Sequence, residues 1–315
     1  MELTSADKKI LALLDCNARM PLSEVGKRAR IAKETVKYRI SKMQKAGILR
    51  GFYAIVDHSK LGLASARIYF RLKDFGEGDE KKLAEFMLKD PHCWGLFQTS
   101  GPHHMVAVIK AKDAWEMGEF AESIRKNFWK IIEYAQISIF CQYCELTSSF
   151  LHGGEKKEFC LFERQKQARL DGADMKILGA LSQDARLPII SLAKKAGISP
   201  ATARAKLRRL VKEKVIVAFR PFIDTEALGY EYFKVDVSVN DYVGVQKVAN
   251  YAKSLPNTTM FQKMLFSPVV EFDLQAKNFA EFVKIMDSIK EKFPSLVRNY
   301  SYYSRVKFFA ISYLK

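Results

Sequence analysis

The sequence predicts an α+β chain in which two helical units each precede a β-α-β-β-α-β domain, and three observations lead there. The chain repeats itself at an offset of 167 residues: Asp174, Ile177, Leu178, Leu181, Ala185, Arg186 and Pro188 restate Asp7, Ile10, Leu11, Leu14, Ala18, Arg19 and Pro21. The match runs on without a gap to Phe219, Asp224, Leu228 and Gly229, which restate Phe52, Asp57, Leu61 and Gly62. Each repeat opens with apolar residues at helical spacing, and each continues with alternating strand and helix signals. The predicted divisions are 1–62, 63–152, a linker at 153–169, 170–229 and 230–315.

The first helix opens at Thr4 with Asp7 three residues on, a capping-box pattern ahead of Ile10, Leu11 and Leu14. Asp171 and Asp174 stand in the same relation to Ile177, Leu178 and Leu181. A short helix at 22–29 follows, then a joint of a few residues, then a helix at 33–45, which is helix-turn-helix spacing. Val36, Ile40 and Met43 form the inward stripe of that third helix, while Lys33, Lys37, Tyr38, Ser41, Lys42 and Lys45 point away. In the second copy Ser199 and Pro200 supply an N-cap and a first-turn proline. There Ala203, Leu207 and Leu210 form the stripe, with Ala201, Arg204, Ala205, Arg208, Arg209 and Lys212 outward. Gly47 is a C-cap glycine; its counterpart Lys214 requires a left-handed lysine or a different ending. The β-prone segments 48–57 and 215–224 are expected to pack back on the helices, giving a winged-helix-like unit.

Strand, helix, two hairpin strands, helix and strand are predicted at 66–72, 80–88, 93–99, 105–110, 114–126 and 134–145. The order repeats at 232–239, 245–254, 258–266, 269–276, 279–292 and 300–313, so each domain is ferredoxin-like. Trp94, Phe97, Trp115 and Phe128, with Phe261, Phe266, Phe272 and Phe282, recur at strand and helix spacing and are expected in the core or between sheets. Tyr300, Tyr302 and Tyr303 are assigned to an edge strand or interface, and the second part of the linker is expected to be helical.

The formal charge is +17 and the pI about 9.5, which makes a polyanion the first partner to consider. The excess is sorted: residues 1–62 carry 13 Lys and Arg against 6 acids, and 170–229 carry 11 against 6, whereas 63–152 carry 11 against 12. Cationic character persists on the outward faces although the residues differ, as phosphate contact allows. Double-stranded DNA is therefore the expected partner. Arg204, Arg208 and Tyr38 are the candidates for base edges, and the lysines for phosphates. No stretch approaches the roughly 18 apolar residues that a spanning helix needs, and residues 1–7 lack a signal-peptide order, so a soluble cytoplasmic protein is expected. Five cysteines argue against a disulfide framework and fit a reducing compartment.

Thr35-Val36, Arg39-Ile40, Gly47-Ile48, Gly51-Phe52-Tyr53-Ala54, Val56-Asp57 and Leu61-Gly62 resemble the helix-turn-helix and connecting strand of Lrp/AsnC-type (feast/famine) transcription regulators. The βαββαβ domain resembles their regulatory domain, so the likeness covers nearly the whole chain, twice. It implies a sequence-specific regulator acting as a fused pseudo-dimer, with recognition helices in adjacent major grooves; such a pair either stops at one chain or pairs again with a second chain through exposed sheet faces. In that family a Gly-x-x-Asp turn lines an amino-acid effector site. The matching turn here is Gly101-Pro102-His103-His104, with Thr99 before it, and these residues are the candidate small-molecule effector contacts. His104 stands where the aspartate would be, and Ser267-Pro268-Val269-Val270 in the second copy has neither glycine nor acid.

Cys141, Cys144, His152 and Cys160 are weighed as a zinc set and set aside, because strand residues three apart face opposite ways. Idle or buried thiols are expected, with no metal and no cofactor. No nucleophile motif, phosphate loop or carboxylate pair stands out, and the expectation is a protein that is not an enzyme. Two alternatives remain: a sirohaem decarboxylase-like enzyme of the same architecture, whose His-Asn-Tyr element is unmatched at Trp94-Gly95-Leu96-Phe97-Gln98, and a sequence-blind DNA-architectural protein.

Overall fold

The computed structural model describes residues 2–162, 166–265 and 269–314. The first half contains α1 (Ser5–Cys16), α2 (Leu22–Ala29), α3 (Lys33–Lys45), β1 (Leu49–Val56), β2 (Ala64–Leu72), α4 (Glu77–Lys89), β3 (Cys93–Ser100), β4 (Met105–Ala111), α5 (Ala114–Phe128) and β5 (Ile132–Leu146). A connector follows with α6 (Ser149–His152) and β6 (Glu158–Leu161). The second half contains α7 (Gly172–Gln183), α8 (Ile189–Ala196), α9 (Pro200–Lys212), β7 (Ile216–Ile223), β8 (Glu231–Val239), α10 (Tyr242–Ser254), β9 (Thr258–Met264), β10 (Val269–Ala276), α11 (Phe279–Lys292) and β11 (Val297–Ile311). The α+β class, the paired helical units and the doubled βαββαβ order are as the sequence predicts.

Both capping boxes form. Thr4 Oγ1 accepts from Asp7 N at 3.3 Å, and Asp171 Oδ1 accepts from Asp174 N at 2.9 Å. The bend before each third helix needs one left-handed residue, supplied by Arg30 (φ 59°) and Gly197 (φ 72°). The exit after that helix needs another, supplied by Gly47 (φ 72°) and Lys214 (φ 55°).

The segments after the third helices do not simply fold back on their own helices. β1 and β7 pair antiparallel with each other, Tyr53 opposite Arg220, and Asp57 N donates to Val215 O at 3.0 Å while Asp224 N donates to Ile48 O at 2.7 Å. β1 then packs on α7 of the second unit and β7 on α1 of the first. The apolar faces explain the exchange: Ala54, Ile55 and Val56 share one core with Ile177, Leu178 and Leu181, and Phe219 and Ile223 lie against Ile10, Leu11 and Leu14. A strand seen only in its own repeat's sequence gives no sign of whose helices it will cover.

The remaining strands form one hydrogen-bonded order, β2-β4-β3-β11-β8-β10-β9-β5-β6, and β5 also pairs with β2, so eight of them close on themselves. β5 and β11 make the closure possible because each has 15 residues, enough to serve both halves. β5 pairs β2 through 132–139 and β9 through 140–145; β11 pairs β8 and then β3. Tyr300, Tyr302 and Tyr303 therefore sit on a strand that bridges the halves. The two helix-covered cores lie outside the ring, one built on Leu83, Phe120 and Ile124, the other on Val248, Phe272 and Phe282.

Several expectations need correction. The described part of the linker contains β6 and no helix, because β6 finds an open edge of β5, and α6 lies just before it. That pairing sets Cys144 opposite Cys160, and their sulfurs are joined, so these thiols are not idle. Trp115 is 77% exposed on α5 instead of in the core. Phe266, Ser267 and Pro268 lie outside the described residues. Among the described residues no helix is long and apolar enough to cross a membrane.

Candidate nucleic-acid interface and the cleft behind it

On α3 the side chains of Lys33, Lys37, Tyr38, Ser41, Lys42 and Lys45 are all exposed, Tyr38 by 65%, while Val36, Ile40 and Met43 are buried. On α9 Ala201, Arg204, Ala205, Arg208 and Lys212 are exposed. Arg209 differs: its Nη2 reaches Asp174 Oδ2 at 2.5 Å and its Nη1 the carbonyl of Arg169 at 3.3 Å, which turns it back toward α7. Lys206 also reaches Asp174, at 3.2 Å, as Arg39 reaches Asp7 in the first unit, also at 3.2 Å. Arg39 on α3, and Lys206 with Arg209 on α9, thus tie each third helix to the capping box of its first helix.

The two units are locked about a pseudo-two-fold axis. Ala18 N donates to Phe219 O at 2.8 Å and Ala185 N to Phe52 O at 2.9 Å. Arg19 donates to the carbonyls of Ala185 and Leu187, and Arg186 to those of Ala18 and Met20; each guanidinium lies over the other half's phenylalanine, Arg19 on Phe219 and Arg186 on Phe52. The third helices are therefore presented as a fixed pair, the geometry that two half-sites require.

Behind this junction lies a buried ionic network without two-fold symmetry. Arg220 donates through Nε to Asp15 Oδ1 at 3.0 Å and through Nη1 to Glu145 Oε2 at 2.9 Å. Tyr53 donates to Glu145 Oε2 at 2.7 Å, Tyr313 to Oε1, and His152 meets Asp15 Oδ2 at 3.0 Å. Burial pushes the Asp15 carboxyl up, but Arg220 and His152 outweigh it and hold it below the ordinary carboxylate value. The network ties α1, β7, β5 and the C-terminal Tyr313 into one piece.

The network forms one wall of a cleft with about 110 Å³ of solvent-accessible space between the β1–β7 ribbon and the closed sheet. Arg50, Arg67, Arg220 and Arg305 line it, with Trp94, Tyr232 and Gln275. Sequence reasoning did not bring these residues together as a site. The signal was a cation inside an apolar strand, Ala66-Arg67-Ile68 and Phe233-Lys234-Val235, where a surface strand would show alternation.

The candidate effector residues come together in the β3–β4 hairpin, with most of their polar groups already engaged. Thr99 Oγ1 donates to His103 O at 2.8 Å, and His104 Nδ1 accepts from Leu72 N at 2.9 Å. Gly101 (φ 129°) lies against Tyr303, where an added Cβ would come within 3.1 Å of Tyr303 Cβ. His103 packs 4.9 Å from Tyr69, and burial lowers its pKa. The weighed zinc set does not assemble: Cys144 bonds Cys160, Cys141 is exposed, and His152 is held by Asp15.

The winged helix-turn-helix DNA-binding family matches at residues 3–50 and 170–217, one match in each repeat. The HTH-type transcriptional regulator FL11 of Pyrococcus horikoshii is 30% identical over 122 residues, covering 39% of this chain and 80% of the relative. FL11 of Pyrococcus furiosus is 28% identical over 123 residues, with 39% and 80% covered. Among solved structures, the siroheme decarboxylase NirDL superposes with a TM-score of 0.64 at 14% identity, over 98% of this chain and 93% of that one. The chain belongs to the Lrp/AsnC family of helix-turn-helix regulators, duplicated in tandem, and is a DNA-binding transcription regulator. The expectation that it is not an enzyme does not stand, because an enzyme shares its architecture from end to end.

Proposed function

We propose that the chain reads one operator with two unlike half-sites, α3 and α9 entering adjacent major grooves, as a fused pseudo-dimer acting in the cytoplasm. The observation that carries this reading is the pair of exposed cationic third helices whose outward residues differ almost everywhere, held at one fixed spacing by the β1–β7 ribbon. Lys33, Lys37, Lys42, Lys45 and Lys212 supply phosphate contacts; Tyr38, Arg204 and Arg208 reach base edges, and Ser41 lies between them. Arg209, tied to Asp174, contributes least. The divisions at 1–62 and 170–229 are the DNA-reading parts, and 63–152 with 230–315 form the regulatory part, which takes a small-molecule effector and offers sheet and helix faces for further dimerisation. His103, with its unpartnered Nδ1, is the hairpin's remaining effector contact.

The test is selection of duplexes from a random pool at several salt concentrations. An asymmetric enriched site is expected; a perfect palindrome as the best site overturns the reading. Lys37→Ala with Lys42→Ala should flatten the log–log salt slope by about 0.9 per lost phosphate contact, whereas Arg204→Ala with Arg208→Ala should weaken binding and relax the base preference of one half-site.

A second reading, catalysis on a tetrapyrrole, is supported by the likeness of the whole chain to siroheme decarboxylase. Mixing the protein anaerobically with sirohaem and analysing the products for lost carboxyl groups tests it; recovery of intact sirohaem removes it.

A further inference from the structure

The two halves of the closed sheet carry a buried cation at the same place, Arg67 on β2 and Lys234 on β8. Lys234 on β8 stands opposite Asp273 on β10, and Asp236 stands opposite Glu271. Its ammonium is neutralised by Asp236 and by Glu271, the latter at 2.9 Å. In the first half the register puts Arg67 opposite Val108, and Tyr69 opposite Val106. Every acid around the lysine has been replaced by an uncharged side chain around the arginine.

Arg67 is only 3% exposed, yet no carboxylate among the described residues lies within ion-pair distance of it. Its protein hydrogen bond is a long one, 3.4 Å from Nη1 to the Tyr69 hydroxyl, and its Nε has no partner. Asp273 acts on it from a distance, its Oδ2 taken by the Tyr232 hydroxyl and its Oδ1 without a partner, and the guanidinium otherwise lies over the rings of Phe140 and Tyr69, at 5.3 and 6.0 Å. The other three arginines of the cleft are each paired: Arg50 with Asp224, Arg220 with Asp15 and Glu145, and Arg305 with Glu226. A buried, unpaired guanidinium costs several kcal/mol unless something supplies its counter-charge. Two more buried polar atoms on the same cleft are unpartnered, Trp94 Nε1 and the Gln275 amide oxygen. The rest of the lining is largely apolar, with Phe97, Val108, Phe140, Met260, Phe308 and Ile311.

We propose that this cleft is a binding site for a small monocarboxylic acid with an apolar or aromatic body, its carboxylate on Arg67 and its body among the apolar residues. One unneutralised cation matches one carboxylate, whereas an acid with several carboxylates would bury most of them unmatched. The acids that line the cleft among the described residues, Glu145, Asp224 and Glu226, are each paired with an arginine, so none of them is free to receive an α-ammonium group and the ligand is an acid rather than an amino acid. Because β1 and β7 form the outer wall and also complete the helical cores, occupancy shifts the seat of α3 and α9; this coupling rests on the regulator reading above.

The experiment is calorimetric titration of the full chain with 3-phenylpropionate as the probe, beside its neutral amide and phenylalanine. Saturable binding of the acid is expected, with the amide and phenylalanine at least about tenfold weaker. Arg67→Met should weaken the acid by about 10- to 100-fold, and Arg67→Lys by less. Arg67→Met should also melt no lower than the parent, since it removes a buried charge at the loss of only one long hydrogen bond and two ring contacts that a methionine side chain can replace in part; a lowered melting temperature would assign Arg67 a structural role and overturn the site. Absence of saturable heat, or equal binding by Arg67→Met or by the amide, likewise overturns it. On the enriched duplex, 3-phenylpropionate should change affinity at least about fivefold in the parent and not in Arg67→Met; an unmoved affinity overturns the coupling. A protein that binds no duplex but still takes the acid through Arg67 would sink the regulator reading and leave the site standing.

Discussion

At the bend before the third helix the first unit places Arg30 and the second Gly197; at the exit the first places Gly47 and the second Lys214. Each unit thus contains one glycine and one strained cation at the same two left-handed positions, in opposite order. The contacts across the pseudo-axis show no such drift: Arg19 and Arg186, Phe52 and Phe219, Ala18 and Ala185 are the same residue types making the same reciprocal bonds. Deeper in, the halves part altogether. Asp15 has Ser182 as its counterpart, His58 has Thr225, and Arg220 faces its own counterpart Tyr53 across the ribbon, so a charged network occupies one side of the axis only. After a duplication the junction stays symmetric because each partner constrains the other, while a site used once is free to lose its image.

The largest effect should come from the one-sided network. Arg220→Met leaves Asp15 and Glu145 buried without their cation and should cost about 3–5 kcal/mol in denaturant unfolding. Tyr53→Phe, at the symmetry-related place, removes a single hydrogen bond and should cost about 1 kcal/mol. Comparable losses from the two would break the contrast.

Acid should also act on one half. His58 is fully buried between Ser65 Oγ at 3.0 Å and Tyr313 O at 2.7 Å, and burial, helped by Lys110, lowers its pKa to about 3. The unfolded chain binds this proton from pH 6.5 downward and the folded chain does not, so stability is full above 6.5 and falls as pH drops toward 3, by up to about 5 kcal/mol. Thr225 gives the second half no such dependence. A stability profile of His58→Gln as steep as the parent's between pH 6.5 and 4 would show that another group carries it.

The symmetric junction should respond symmetrically. Arg19→Ala and Arg186→Ala should each cost about 2 kcal/mol, equal within error, because each removes charge-assisted bonds to two carbonyls. Smallest of all, Arg30→Gly and Lys214→Gly should each stabilise by about 1 kcal/mol, since an L-side chain in the left-handed region is strained by that order. A loss at either position would mean that its side chain makes contacts worth more than its backbone strain.

Within single units the sequence was highly legible. Thr4, Asp7, Ser199 and Pro200 marked helix starts through local hydrogen bonds, and the stripes Val36-Ile40-Met43 and Ala203-Leu207-Leu210 fixed the inward faces. What lay between units was not. The exchange of β1 and β7, the pairing of β6 with β5 and the joining of Cys144 to Cys160 depend on which edge meets which, and hydrophobic patterning records only that a face will be covered. The outward cations of α3 and α9 were visible because exposed charge is a local property. Arg67 was not singled out because its oddity lies in the acids missing around it, and those sit on other strands.

The crossing of β1 onto α7 and of β7 onto α1 has a consequence for the chain as it leaves the ribosome. The core of the first three helices lacks Phe219 and Ile223 until more than two thirds of the polypeptide has been made, so α1 waits with Ile10, Leu11 and Leu14 incompletely covered. Closing a loop of that span before any contact rewards it makes maturation slow, and it makes a truncated product ending in the connector a sticky fragment rather than a small working regulator.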